Sequence, residues 1–329
     1  MKRFSTIVTF GASLFAVTMF SSASSAKETL KLLYPWTSVM INSGIVDSIA
    51  ENIKKFSDGE LEAKIFDRSV VPTFKQMQPV AAGAFDINYT SPAFHTGATS
   101  VGILGNTFKV DPALVRSSGV FDLIDKHYQK TVGVKLLGYA LTPGYQIILK
   151  KPVGPDGGLA GLKIRGNPGY APMITGLGGT VVTLTAAEIY TGLQKNLIDG
   201  AAWVLHSLTS RKFYEVVKYM ARPTFGSSTQ VLVMNMAKYN KLSPKMKDAM
   251  AKVGMAFELA ANKIVSDEVD KNTKGMLDKG VKFTQFGPKY SGRIEEIYAT
   301  GIWQKAIDKH GAEAQAIVDL AKEKGLVLK

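Results

Sequence analysis

From residue 29 onward the chain alternates short strand-like stretches with helical ones, and a series of that kind can bury its apolar faces in few ways. Thr29 to Tyr34 alternates as a strand does and ends in Pro35-Trp36, after which Val46, Ile49, Ile53 and Phe56 recur at helical spacing. Leu61 to Phe66 reads as a second strand, Thr73 to Ala82 as a helix and Phe85 to Tyr89 as a third strand. The pattern predicts a mainly parallel sheet covered by helices, whose ligands sit beyond the carboxyl ends of the strands. Those ends are Tyr34 to Trp36, Asp67 to Arg68, and Thr90 to His95.

A second α/β series begins near Leu136. Leu137 to Ala140 and Gln146 to Leu149 read as strands, Lys151 to Gly158 as a loop rich in Gly and Pro, and Leu162 to Arg165 as a short strand. Tyr170 to Gly176 can form a helix and Val181 to Leu184 a strand. Thr185 to Glu188 then reads as a capping box opening a helix to about Lys195, which makes Glu188 a cap rather than a catalytic acid. Ser243-Pro244 opens a long helix with Val253, Phe257, Ala260 and Ile264 on one apolar stripe, and helices over Gly292 to Lys309 and Ala312 to Lys324 close the chain. The expected architecture is two α/β lobes with helices added at the end.

The first 26 residues differ from the rest. Lys2 and Arg3 precede an apolar stretch from about Ile7 to Phe20, and Ser24-Ser25-Ala26 supplies small residues at a cleavage site, which together read as a secretory signal cut near Ala26. That stretch is shorter than the roughly 20 residues a membrane span requires. Export out of the cytoplasm is the expectation. With 40 basic against 27 acidic residues the formal charge is +13, but the lysines are spread thinly, often beside Asp or Glu, and not gathered with aromatics as in a nucleic-acid surface. No nucleic-acid partner is expected.

Most enzyme chemistries fail residue by residue. Cys is absent, which excludes a thiol nucleophile and Cys-ligated metal or iron–sulfur sites. There is no G-x-S-x-G elbow, no Walker loop, no complete G-x-G-x-x-G and no H-E-x-x-H. The four histidines, His95, His127, His206 and His310, are too scattered in sequence to suggest a metal. No cofactor, metal or catalytic residue is expected.

Arg165 is the informative charge. It ends an apolar strand and is followed by Gly166-Asn167-Pro168, a turn that would face a cleft, where a guanidinium can hold a carboxylate by two parallel hydrogen bonds. From spacing alone a surface arginine paired with a nearby Asp is an equal reading. The block Gly161-Leu162-Lys163-Ile164-Arg165, then Gly178-Gly179 with Val182, Ala187-Glu188-Ile189-Tyr190-Thr191-Gly192-Leu193-Gln194 and Ile198-Asp199-Gly200, closely resembles the substrate-binding proteins of TRAP transporters, dicarboxylate-binding (DctP) type. The resemblance extends to Gly83-Ala84-Phe85-Asp86 and in outline to nearly all of the chain beyond the signal. It implies a periplasmic two-lobed clamp with hinge strands and a long helix spanning both lobes. It also implies a solute receptor, which delivers a small organic acid to the membrane subunits of a transporter, the alternative being a periplasmic enzyme acting on a small carboxylate on a related two-lobed scaffold.

The resemblance makes Arg165 the match to the family's carboxylate-anchoring arginine. Two departures follow: members with acidic-sugar ligands often carry a second arginine where this chain has Tyr145, followed by Gln146, and an asparagine shortly after the I-D-G turn, where this chain has Ala201-Ala202-Trp203. One carboxylate on a ring or apolar body is therefore expected, rather than a sialic-acid-like ligand. Further candidate contacts are Trp36, Thr90, Ser91, Phe94 and His95 from the first lobe, and Tyr145, Asn167 and Trp203 from the second. Aromatic faces bury apolar area and hydroxyls orient polar groups. Each has an ordinary alternative: core packing for the aromatics, a satisfied loop histidine for His95, and fixing the turn for Asn167. Residues 27–142 with about 231–270 are expected to form the first lobe, residues 143–230 with about 271–329 the second, and the protein is expected to be a monomer.

Overall fold

The computed structural model describes residues 27–37 and 42–328, together with Met1. The expected secretory signal, from Lys2 to the cleavage site at Ala26, lies outside the described residues. Among the described residues no helix is long and apolar enough to cross a membrane.

Among the described residues ten strands join in one mixed sheet: β1 (Glu28–Leu33), β2 (Leu61–Phe66), β3 (Ile87–Thr90), β4 (Val134–Leu149), β5 (Lys163–Gly166), β6 (Thr180–Thr183), β7 (Gly200–Val204), β8 (Tyr219–Arg222), β9 (Phe225–Asn235) and β10 (Lys282–Gln285). The order is β2-β1-β3-β9-β4-β7-β5-β6, with β8 pairing β4 and β10. The first lobe holds the parallel set β2-β1-β3 and the second the parallel set β7-β5-β6. Between them β4 and β9 run antiparallel from one lobe into the other, with Tyr145 opposite Phe225 near one end and Val134 opposite Asn235 at the other.

β4 is a single 16-residue strand where the sequence suggests two, Leu137 to Ala140 and Gln146 to Leu149. The strand continues between them because Pro143 pairs with Ser227 in register and because the backbones close together beside it. A Cβ on Gly144 would lie 1.9 Å from the Gly226 carbonyl oxygen, so only glycine fits at this crossing.

The apolar periodicities find their partners. Leu30 and Leu32 of β1 pack with Ile45, Ile49 and Ile53 of helix Asn42–Phe56, and with Val253 and Phe257 of the 35-residue helix Pro244–Asp278. Ser243 caps that long helix by accepting the Met246 N–H. Its buried stripe continues through Ala261 and Val265 rather than Ala260 and Ile264, following four-residue steps from Phe257. The same helix reaches the second lobe, where Met276 packs with Leu193, Trp203 and Phe213. Tyr298, on helix Ile294–His310, also ties the lobes: its hydroxyl accepts from Asn106 Nδ2 at 3.1 Å and donates to the Gly169 carbonyl at 2.7 Å.

Helix Ala312–Glu323 lies against Val120–Thr131 of the first lobe, where Glu313 meets His127 at 2.8 Å. Val327 then bridges Phe108, and the Leu328 N–H donates to the Thr107 carbonyl. The sequence carries only the apolar face of this helix, not the address of its partner, with His127 lying 186 residues before Glu313.

Candidate functional site

The parallel strands of the two lobes end toward a common cavity of about 100 Å³, and each contributes residues at or just past its carboxyl end. From the first lobe come Trp36 after β1, Arg68 after β2, and Ser91 and Phe94 after β3. From the second come Arg165 at the end of β5 with Asn167, Thr185 to Ala187 after β6, and Trp203 and His206 at the end of β7. The crossing strands supply Tyr145, Ser228 and Gln230.

The first-lobe wall is aromatic. Trp36 contacts Phe94 with ring centroids 5.9 Å apart and Tyr89 at 5.0 Å, and Phe74 meets Phe94 edge-on at 5.3 Å. Ser91 uses its hydroxyl to cap the turn Pro92–Phe94, accepting from the Ala93 N–H.

The second-lobe wall carries the charge. Arg165 is 2% exposed. Its Nε donates to the Leu184 carbonyl at 3.0 Å and its Nη1 to the Ala202 carbonyl at 3.3 Å, while the guanidinium lies 5.0 Å from the Trp203 ring and 5.7 Å from the Tyr170 ring. Burial pulls its pKa from the ordinary 12.5 down to about 10, a loss the Tyr170 hydroxyl offsets in part. Among the described residues no carboxylate lies within ion-pair distance of it, and no Asp or Glu lines the cavity. The surface-arginine reading therefore falls.

Arg211 also approaches Trp203, at 5.6 Å, and its pKa is lowered by burial and by Arg68. Three guanidiniums thus face one cavity. Glu188 is occupied elsewhere, accepting from the Thr185 N–H and hydroxyl at 2.7 Å each, so it shapes the Thr185 to Ala187 wall as a local cap. The helix it precedes begins only at Ile189.

Of the residues singled out from sequence, the structure brings Trp36, Ser91 and Phe94 together with Tyr145, Arg165, Asn167 and Trp203 around this cavity. Asn167 also fixes its turn, its Oδ1 accepting the Gly169 N–H at 2.8 Å. Thr90 and His95 stand apart. Thr90 is buried within β3, paired with Val231 of β9. His95 turns into the first lobe, with Nε2 2.9 Å from the Tyr128 hydroxyl, and burial lowers its pKa to about 3. Sequence reasoning did not select Arg68, His206 or Arg211. Arg68 stood at a recognised strand end, whereas His206 and Arg211 follow β7, whose Gly-Ala-Ala-Trp-Val stretch begins in what reads as a turn.

A two-lobed α/β sheet, joined by crossing strands and enclosing a cationic, aromatic-walled cleft, defines a ligand-clamping receptor. Residues 40–309 match bacterial extracellular solute-binding protein, family 7, and the chain belongs to this family of DctP-type TRAP solute receptors, which are binding proteins and not enzymes. It is 26% identical over 302 residues to the 2,3-diketo-L-gulonate-binding periplasmic protein YiaO of Escherichia coli K12, covering 84% of this chain and 86% of that one. A TRAP periplasmic solute-binding protein from Desulfovibrio salexigens with bound orotic acid shares the fold with a TM-score of 0.80 at 19% identity, covering 91% of this chain and 98% of that one. A Bordetella pertussis extracytoplasmic solute receptor binding pyroglutamic acid does so with a TM-score of 0.76 at 16% identity, covering 89% and 99%.

Proposed function

We propose that this protein is exported, processed near Ala26 and works in the periplasm as a monomeric receptor. It closes on a small organic acid with a carboxylate and an apolar or ring-shaped body, and hands it to the membrane subunits of a TRAP transporter. The observation that carries the ligand class is Arg165, a buried guanidinium in an interlobe cavity with no carboxylate of the described residues within ion-pair distance. A desolvated cation of this kind is matched best by an anion with planar acceptor geometry. Trp36 and Phe94 on one side and Tyr145 and Trp203 on the other supply faces for the body, with Ser91 and Asn167 at its edges. The ligands named for the similar proteins, diketogulonate, orotate and pyroglutamate, are all carboxylates, which supports the same class here.

Closure is a population shift, since a ligand touching both lobes favours the state in which both walls reach it. The hinge then lies where β4 and β9 pass between lobes. The test is a thermal-shift screen of small carboxylates against their carboxamides. Saturating acid, at a hundred times Kd, should add about 2.7 kcal/mol of stability. Equal response to acid and amide would refute the carboxylate reading.

A further inference from the structure

Three of the four histidines are used by the fold. His95 is bonded to Tyr128, His127 lies between Thr99 and Glu313, and His310 accepts the Ser100 N–H at 3.1 Å. His206 is the exception. It is 5% exposed, it lines the interlobe cavity, and its Nδ1 is buried without a hydrogen-bond partner among the described residues.

The turn that carries His206, Leu205–Ser207, does not need the imidazole to hold its shape. Trp203 Nε1 donates to Ser207 Oγ at 2.8 Å, and the Ser207 carbonyl accepts from Ser210 Oγ at 3.4 Å. A buried polar group is rarely left unpaired in a folded protein, since its desolvation is then unrecovered. In a ligand cleft the natural partner is the ligand. Burial also lowers the pKa of His206 to about 4, so near neutral pH the ring is uncharged and presents one N–H donor and one lone pair. Such a ring gives no charge attraction to a second carboxylate. It suits a neutral group that donates or accepts.

We propose that His206 is a specificity-determining contact of this cleft, hydrogen-bonding to a hydroxyl, keto or ring-amide group that the ligand carries in addition to its carboxylate. This rests on the carboxylate reading above and deepens it: Arg165 selects the acid, and His206 selects among acids. A site built around a buried hydrogen-bonding group discriminates strongly against the analogue that lacks the matching group, because the protein group is then left unpaired.

The test uses matched pairs that differ only in polar groups, pyroglutamate against cyclopentanecarboxylate and lactate against propionate, titrated calorimetrically into the wild type, His206→Phe and His206→Gln. The wild type should favour the polar member of at least one pair by tenfold or more. His206→Phe should bring that ratio to near one. His206→Gln, which retains a donor and an acceptor, should recover part of the preference. Should the phenylalanine variant fail to fold by circular dichroism, His206→Leu makes the same comparison. A preference that survives in the apolar variants, or a wild type that binds both members equally, overturns the role of His206 and leaves the carboxylate reading standing. A wild type that binds none of the four acids counts against both.

Discussion

Replacing Arg165 with alanine should separate binding from stability. In the folded protein, burial lowers the arginine's pKa from 12.5 to about 10, which at ~1.4 kcal/mol per pH unit means that the desolvated charge costs on the order of 3 kcal/mol. Against this stand two hydrogen bonds, to the Leu184 and Ala202 carbonyls, at about 1 kcal/mol each. The guanidinium over the Trp203 ring adds roughly another 1 kcal/mol. These contributions nearly cancel. The ligand-free Arg165→Ala protein should therefore unfold in urea within about 2 kcal/mol of the wild type. Its affinity for a carboxylate should fall by roughly 3 to 5 kcal/mol, about 150- to 5,000-fold, because an enclosed anion is left without its donors. Arg165→Lys keeps the charge but not the planar fork and should recover only part of that loss. Titration calorimetry with an acid found in the thermal-shift screen reads the affinity. Near-normal binding by the alanine variant, or a large loss of stability without a loss of binding, would refute the reasoning.

Further outcomes are expected elsewhere in the molecule. Gly144→Ala places a methyl group 1.9 Å from the Gly226 carbonyl oxygen at the strand crossing, and should lower the unfolding free energy read from urea titration by roughly 3 kcal/mol or more; an unchanged stability would mean that the crossing strands move apart freely. His95 is buried neutral with its pKa lowered to about 3, so the folded state binds fewer protons than the unfolded state between there and about 6.5. Its contribution to stability is complete above pH 6.5 and is lost as pH falls toward 3. The stability gap between wild type and His95→Asn should shrink by about 2 kcal/mol from pH 7.5 to pH 5, and a constant gap would contradict this. Ligand binding should be unaffected by chelation with EDTA; affinity lost on chelation and restored by a divalent ion would reveal a metal requirement.

How legible this protein is from sequence depends on the range of the interactions involved. β1, its Pro35-Trp36 end and helix Asn42–Phe56 follow from local alternation and spacing, and Arg165 stands out because a charge closes an apolar strand. Thr90 and His95 illustrate the limit. Both lie near the end of the same strand as Ser91, yet the direction of each side chain depends on partners far along the chain, Val231 for the Thr90 backbone and Tyr128 for the His95 ring. Leu137 to Ala140 and Gln146 to Leu149 read as separate strands, and only the facing strand with Gly226 joins them into one crossing. His206 and Arg211 were hidden behind a strand of small residues with no alternation to mark it. The long helix was visible from its Ser-Pro start. Its bridging of both lobes came from the family resemblance, while the docking of Ala312–Glu323 on the first lobe was carried by neither.

The central claim is that the two lobes enclose a carboxylate held by Arg165. A crystal structure of the protein with the small acid it retains on purification tests this most directly. The account predicts carboxylate oxygens about 3 Å from the Arg165 guanidinium, with the ligand body between the Trp36 and Trp203 walls. A ligand bound outside this cleft, or one whose carboxylate points away from Arg165, would contradict it.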